Sequence, residues 1–162
     1  MPDAGAPPIT YAYDPELASV VPSLPKMDTD DVAMMRKRLV EMVPPASPED
    51  AIGVRIEDRV VPGRPGDPDV PIRIYRPEQP RSSAAVYHVH GGGFILGDLE
   101  TEHAANLRLA SRLGAVVVSV GYRLAPETPF PGPLEDVYAG RARPARSRPR
   151  RPAYLLPIPR RT

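Results

Sequence analysis

The chain has 162 residues, enough for one ordinary domain, and no cysteine, which excludes a disulfide framework, a thiolate zinc site and a cysteine nucleophile. Its 21 basic and 20 acidic residues nearly balance, but eight arginines and no acidic residue lie in residues 141–162. Residues 1–140 therefore carry a net charge of −7, and the segment after them one of +8. The longest apolar run, residues 115–118, is far shorter than the ~20 residues of a membrane span, and residues 1–10 lack a secretory-signal pattern. We therefore expect a cytoplasmic protein without a membrane span.

The first predicted element is an amphipathic helix at residues 28–43, after an unstructured lead-in over the first ten residues. Four apolar residues recur at spacings of three and four and share one face: Val32, Met35, Leu39 and Met42. Asp28 or Thr29 is predicted to cap the helix, and Pro44-Pro45 ends it. Its polar face is expected to be solvated, whereas its apolar face needs a core or a substrate pocket to cover it.

Two strands joined by a turn are predicted next. Residues 54–61 and residues 70–75 each show apolar residues at a period of two. The sequence between them, PGRPGDPD, is dense in turn-forming residues. The pattern therefore predicts a β-hairpin.

A strand, a glycine-rich loop, a helix and a second strand follow. The predicted elements are a buried strand at residues 84–90, a helix at 102–113 and a buried strand at 115–120. Thr101 is predicted to cap this helix and Gly114 to end it. A crossover of this kind places the two strands in parallel in one sheet, which indicates an α/β fold. A further helix is predicted over residues 134–139.

The strongest functional signal is His90-Gly91-Gly92-Gly93, placed where the buried strand ends. Glycines allow a sharp turn there and bring backbone N–H groups close to a ligand, which suits a phosphate or a developing oxyanion. The phosphate interpretation is weak, because GGGFILGD lacks the Lys-Ser/Thr ending of a P-loop and does not have the GxGxxG spacing. A tight turn without a ligand is the simplest alternative for the glycines alone.

Two longer segments carry a family resemblance: HVHGGGFILGDLETEH and GAVVVSVGYRLAPETPFPGPLEDVYAG. Together they resemble the hormone-sensitive-lipase-like branch of the α/β-hydrolase fold, from Asp14 to about Gly140. The resemblance implies an incomplete α/β-hydrolase fold, with a lead-in and cap helices in residues 1–50 and the N-terminal half of a mostly parallel sheet domain in residues 51–140. It also implies hydrolysis of small-molecule carboxylic esters by a Ser-His-Asp triad without a cofactor.

The same resemblance assigns roles within the glycine loop. The N–H groups of Gly92 and Gly93 are expected to donate to the oxyanion of the tetrahedral intermediate, while His90 and Gly91 support the loop. Tyr122, Arg123 and Glu127, in the segment YRLAPE, are expected to be structural. Gly121 departs from the family, which commonly carries Asp at this position.

No catalytic triad is visible in the chain. The family requires a G-x-S-x-G nucleophile elbow after the LEDVYA segment, and none of the eight serines is flanked by glycines in this way. Ser119 comes nearest, but it is preceded by Val117 and lies in a predicted strand. All three histidines precede the expected nucleophile. We therefore expect no catalytic residue in this chain, which corresponds to the N-terminal portion of an esterase and is inactive alone.

No metal site is expected either. His88 and His90 could share one strand face, but no third ligand is apparent. His103 is expected to be a solvated helix residue.

Residues 141–162, RARPARSRPRRPAYLLPIPRRT, have no periodicity, and their prolines exclude a helix or a central strand. One interpretation is a basic arm that binds nucleic acid or an anionic surface, which would make the chain a non-catalytic binding protein. The interpretation we favour is a reading-frame slip after Gly140 in a GC-rich gene, with nucleic acid disfavoured as a partner. Without the missing half, the strand at 84–90 is expected to leave a sheet edge open to aggregation or complementation.

Overall fold

The computed structural model describes residues 13–23 and 31–141, so the predicted lead-in and the basic segment after Arg141 lie outside the described residues. The helices are α1 (Pro15–Ala18), α2 (Val32–Met42), α3 (His103–Leu113) and α4 (Gly132–Gly140). The strands are β1 (Val54–Val61), β2 (Val70–Pro77), β3 (Ala85–Val89) and β4 (Val116–Val120). Short 3-10 turns lie at Val21–Ser23 and Pro48–Ala51. In this described part, no helix is both long and apolar enough to cross a membrane.

The four strands form one mixed sheet in the order β1-β2-β4-β3. β1 and β2 pair antiparallel over their full length, from Val54 opposite Pro77 to Val61 opposite Val70, which confirms the predicted hairpin. β2 also pairs antiparallel with β4, and β4 pairs parallel with β3. The described sheet therefore has two antiparallel pairs and one parallel pair, whereas the resemblance implied a mostly parallel sheet. Its parallel part consists of β3, α3 and β4, as the predicted crossover requires, and the described elements form an incomplete α/β fold.

Alternation along the strands gives the sheet two apolar faces. One face packs against α4 and is built around these buried residues: Val61, Val70, Ile72, Ile74, Val120 and Tyr122. The other packs against α3 around Val54, Tyr75, Leu107, Ala110 and Val117. The strands β1, β2 and β4 thus each contribute buried residues to both clusters. Tyr75, which the period-two pattern placed opposite the apolar residues of β2, is fully buried under α3.

β3 differs from the prediction of a buried strand. Residues 85–88 are half-buried, and Val89 is 39% exposed. The reason is its position: among the described residues β3 pairs only with β4, so it forms an edge of the sheet. The expectation of an open edge at this strand is met in the described part of the chain.

The caps of the two longest helices differ from the prediction, and the predicted cap residues Asp28 and Thr29 themselves lie outside the described residues. α2 begins at Val32, and the side chain of Asp31 caps it by accepting the N–H of Met34 at 2.8 Å. α3 begins at His103 after Glu102, which makes no capping bond with its side chain. Thr101 instead donates its hydroxyl to the carbonyl oxygen of Asp98. In both cases several polar residues precede the helix, and the local turn rather than the residue type selects the cap.

An ion pair between the half-buried Arg123 and the buried Asp136 fastens α4 to the segment that follows β4. Arg123 donates to Asp136 from its backbone N at 2.9 Å, from Nε at 2.7 Å and from Nη2 at 2.8 Å. Asp136 is only 2% exposed, and Asp67 in the β1–β2 turn approaches the same guanidinium at 3.2 Å. The bond to Asp136 raises the pKa of Arg123, so the charge is retained inside the fold.

Candidate functional site

The glycine loop directly follows β3. The N–H groups of Ile95 and Leu96 both donate to the carbonyl of Gly92, at 3.1 and 3.0 Å, which closes a tight turn. Gly92 has φ +117°, and a β-carbon at this position would lie 2.2 Å from the carbonyl oxygen of Leu96. Only glycine therefore fits at this point of the turn. Gly93 and Phe94 continue it with φ near +61° and +64°.

The two glycines expected to be oxyanion donors lie on this turn. Within the described residues, no hydrogen bond uses the N–H of Gly92 or of Gly93 as its donor. Both residues are exposed to solvent, as are Gly91 and Phe94 beside them. Two neighbouring N–H groups without an acceptor, on exposed residues of a constrained turn, are able to bind an oxygen that carries negative charge.

The buried side chain of His90 fixes the start of the loop. Its ring is buried, at 4% exposure, and Nδ1 lies 2.9 Å from the carbonyl oxygen of Gly91. A carbonyl only accepts, so we assign the ring hydrogen to Nδ1. The hydroxyl of Tyr122 donates to the His90 carbonyl at 2.8 Å and lies 3.1 Å from Nδ1. Gly97 leaves room for this ring, since a β-carbon there would lie 2.4 Å from Nδ1.

Arg36 of α2 holds the other end of the loop. It donates from Nε to the carbonyl of Ile95 at 2.9 Å and from Nη2 to that of Ala125 at 2.8 Å. It also makes a two-point contact with the carboxylate of Glu127, at 2.7 and 2.9 Å. The N–H of Ala125 donates in turn to the carbonyl of Phe94 at 2.9 Å. Hydrogen bonding to Arg36 holds the pKa of Glu127 at about 2, well below its usual range.

The contacts of Arg36 were not foreseen from the sequence. The polar face of α2 was expected to be solvated, and this is wrong at Arg36, which is half-buried directly after the buried Met35. Met42 on the predicted apolar face is instead 64% exposed. No local signal marks Arg36, because its partners lie 59 to 91 residues away along the chain. Tyr122 and Glu127, expected to be structural, both make contacts that fix the loop.

A row of polar residues crosses the α3 face of the sheet, with Asp58, Arg73, Ser119 and His88 as successive strand partners. Arg73 pairs with Asp58 at 2.6 Å.

His103 is not a solvated residue as expected: its Nδ1 lies 3.1 Å from the hydroxyl of the buried Tyr75. Ser119 is fully buried in β4 and its hydroxyl has no partner among the described residues, so it is not placed as a nucleophile.

Among the described residues, no group of three or more His, Cys, Asp or Glu side chains is placed to hold a metal ion. His88 and His90, the candidate pair, do not acquire a third ligand in this part of the chain.

Known proteins similar to this chain share one fold. Residues 86–143 match a family profile described as the alpha/beta hydrolase fold. The carboxylesterase NlhH of Mycobacterium tuberculosis is 40% identical over 129 residues, which are 78% of this chain and 40% of that protein. The arylesterase of Saccharolobus solfataricus is 38% identical over 104 residues, which are 64% of this chain and 33% of that protein.

Among solved structures, a bacterial heroin esterase superposes with a TM-score of 0.67 at 38% identity, covering 78% of this chain and 41% of that one. The chain thus spans about 40% of the length of the curated carboxylesterase that it matches. The sequence motifs, the partial sheet and these relatives agree over the same residues. The chain belongs to the α/β-hydrolase fold family, in its hormone-sensitive-lipase-like esterase branch, and corresponds to the N-terminal portion of that fold.

Proposed function

We propose that this chain is the oxyanion-binding portion of a carboxylic ester hydrolase that acts on small-molecule esters. The observation that carries the proposal is a pair of N–H groups, those of the exposed Gly92 and Gly93, that donate to no acceptor among residues 13–23 and 31–141. They lie on a turn that only glycine can form at position 92. Relatives named carboxylesterase and arylesterase support the same reaction class. His90 and Gly91 support the loop in this proposal, through the bonds between Nδ1, the Gly91 carbonyl and Tyr122.

The two donors would act on the ester carbonyl oxygen as it becomes negatively charged. When a nucleophile adds to the carbonyl carbon, the charge moves to this oxygen, and N–H groups already in place stabilise it without reorganisation. A single donor of this kind lowers the barrier by about 3 kcal/mol. The positive φ of Gly92 directs its N–H in a way that a residue with a side chain could not reproduce there.

The nucleophile itself is not carried by these 162 residues. No serine has the glycine-flanked spacing of a nucleophile elbow. Ser119, the nearest match, has a fully buried hydroxyl in the middle of β4. We therefore propose that the chain alone does not hydrolyse esters and that residues 141–162 result from a reading-frame slip.

The open edge of β3 suits the proposal that a complementary part of the hydrolase pairs there. An unpaired strand edge presents free N–H and C=O groups and promotes aggregation when nothing covers it. We therefore propose that the chain is poorly soluble when expressed alone, and that a second chain carrying the missing portion of the fold would complement it.

Turnover of a short-chain nitrophenyl ester by the purified chain tests this proposal, and we expect none above the rate without protein. Clear turnover would overturn the assignment of the missing nucleophile. Sequencing the gene across the codon for Gly140 tests the frame slip. A downstream frame that encodes a glycine-flanked serine, followed by aspartate and histidine, is the expected result, and its absence would contradict the frame slip.

A second candidate is a non-catalytic protein that binds nucleic acid or anionic surfaces, and it rests on the eight arginines of residues 141–162. It requires salt-dependent binding of DNA or anionic vesicles that is lost when residues 141–162 are deleted. Equal binding by the deleted chain would exclude it.

A further inference from the structure

We propose that Arg36 is a positioning residue that couples helix α2 to the glycine loop, so that the loop keeps its shape only while α2 is docked. This inference rests on the proposed function for its meaning, because the loop carries the proposed oxyanion donors. The hydrogen bonds on which the inference is based do not depend on that function. One guanidinium makes four hydrogen bonds that join α2, the residue three positions after Gly92 and the YRLAPE segment.

The geometry of the guanidinium makes this possible. Its planar fork presents several N–H donors in fixed directions, which a lysine ammonium cannot reproduce. Nε points to the carbonyl of Ile95 and Nη2 to that of Ala125, while Nη1 and Nη2 together hold Glu127. Arg36 therefore bridges two separate backbone segments and at the same time has its charge balanced.

The two bridged segments are also bonded to one another. Ala125 donates its N–H to the carbonyl of Phe94, and Ile95 and Leu96 donate theirs to the carbonyl of Gly92. Arg36 thus bonds to Ile95 and Ala125, and these two residues are themselves hydrogen-bonded to Gly92 and Phe94 in the turn. At the start of the loop, His90 and Tyr122 provide a second fixed point, so the glycines lie between two anchors.

The ion pair alone does not account for this role. The side chain of Glu127 is 63% exposed and that of Arg36 is 31% exposed, and exposed pairs of this kind contribute little to stability. The bonds to the carbonyls of Ile95 and Ala125 are partly buried, and removing their donor leaves two acceptors unpaired. The main effect of losing Arg36 is therefore expected at the loop and not across the whole sheet.

Hydrogen exchange of individual backbone amides tests the coupling in the full 162-residue chain. The amides of Ile95, Leu96 and Ala125 report on the loop, and those of β2 and β4 report on the sheet. R36M is expected to raise exchange at the three loop amides by about tenfold or more, with a much smaller change in the sheet. E127Q keeps both carbonyl bonds of Arg36 and is expected to have a smaller effect on the loop.

R38M is the matched control, because Arg38 is an exposed arginine on the same helix. It is expected to leave the loop amides at their original rate, and R36K is expected to recover part of the protection lost in R36M. The proposal is overturned if R36M leaves the three loop amides unchanged, if R38M raises them equally, or if the sheet amides accelerate by the same factor as the loop. If R36M does not fold, R36K decides, because a lysine cannot bond to Ile95, Ala125 and Glu127 together as the guanidinium does. Loop protection in R36K equal to that in R38M then contradicts the coupling. Exchange needs no catalysis, so a failure of the proposed hydrolase function would appear in the turnover assay and not here.

Discussion

Tyr122 lies stacked on His90, with ring centroids 4.1 Å apart and planes inclined by 11°, and it donates its hydroxyl to the backbone carbonyl of that same residue. Both side chains are about 95% buried. The first residue of the YRLAPE segment is therefore bound twice to the first residue of the glycine loop. Burial raises the pKa of Tyr122, so its hydroxyl keeps its hydrogen and remains a donor across the neutral range.

Removal of this hydroxyl should destabilise the fold. Y122F keeps the ring but leaves the buried carbonyl of His90 without its donor, and we expect a loss of about 1–3 kcal/mol in the free energy of unfolding. Urea denaturation followed by circular dichroism measures it. Y138F serves as the control, because Tyr138 is 62% exposed, and it should stay within about 0.5 kcal/mol. Equal stabilities for the two variants would show that the hydroxyl bond to His90 is unimportant.

A side chain at Gly97 should displace the His90 ring. A β-carbon there would lie 2.4 Å from Nδ1, and the backbone has φ +92°. We expect G97A to lower the free energy of unfolding by more than about 2 kcal/mol, because overpacking adds to backbone strain. G66A is the control that introduces backbone strain without a close contact, because Gly66 has φ +95° and a β-carbon there would have nothing within 4 Å. We expect G66A to lower the free energy of unfolding by about 1 kcal/mol. A loss no larger for G97A than for G66A would argue against the close approach to His90.

Two serine-to-alanine changes should have different effects. Ser119 is buried and its hydroxyl has no partner in the described structure, so S119A should leave the free energy of unfolding unchanged or raise it. Ser47 caps the turn at Pro48–Ala51 in a reciprocal pair with Asp50, and S47A should cost about 1 kcal/mol. Thermal or urea unfolding of both variants checks this. A large loss in S119A would reveal a hydrogen-bond partner for that hydroxyl.

The Arg36–Glu127 pair should make a small part of the stability depend on pH in the acid range, because both side chains are partly exposed to solvent. The pKa of Glu127 is about 2 in the folded chain against an ordinary value of 4.5, so its contribution is fully present above pH 4.5 and is lost as the pH falls towards 2. When the midpoint of urea unfolding is measured as a function of pH, E127Q should reduce its change between pH 4.5 and pH 2. Asp50, Glu57 and Asp58 also have lowered pKa values, so some acid sensitivity should persist in the variant. E41Q, an exposed change on α2, is the control, and a profile for E127Q as steep as that of E41Q would contradict the assignment.

Local periodicity predicted most of the described fold. The hairpin of β1 and β2, the parallel pair β3 and β4 and the helix between them follow from apolar spacing and from glycine and proline at the boundaries. Those signals act within a few residues of one another, which is why they can be read from the sequence. The caps were less predictable: the run from Asp28 to Asp31 offers four suitable residues, and the side chain of Asp31 accepts the N–H of Met34.

The candidate site was predictable in its glycines and not in its supports. His90 and the glycines form a contiguous motif, whereas Arg36 reaches Glu127 across 91 positions and has the appearance of an ordinary solvated residue in its helix. Likewise, the contact of His103 with Tyr75 depends on how α3 lies over the sheet, which no local pattern encodes. Contacts between distant segments are set by tertiary packing, so only the folded chain reveals them.

The bond between Arg123 and Asp136 has a practical consequence for the design of shorter fragments. A piece of this protein that ends before Asp136 would lose the three hydrogen bonds that Arg123 makes with the carboxylate of that residue, so a fragment should extend through α4. The same piece should begin ahead of Asp67, which approaches the same guanidinium from the β1–β2 turn. Where a fragment can begin and end is therefore set by this ion pair as much as by the hydrogen-bonded sheet.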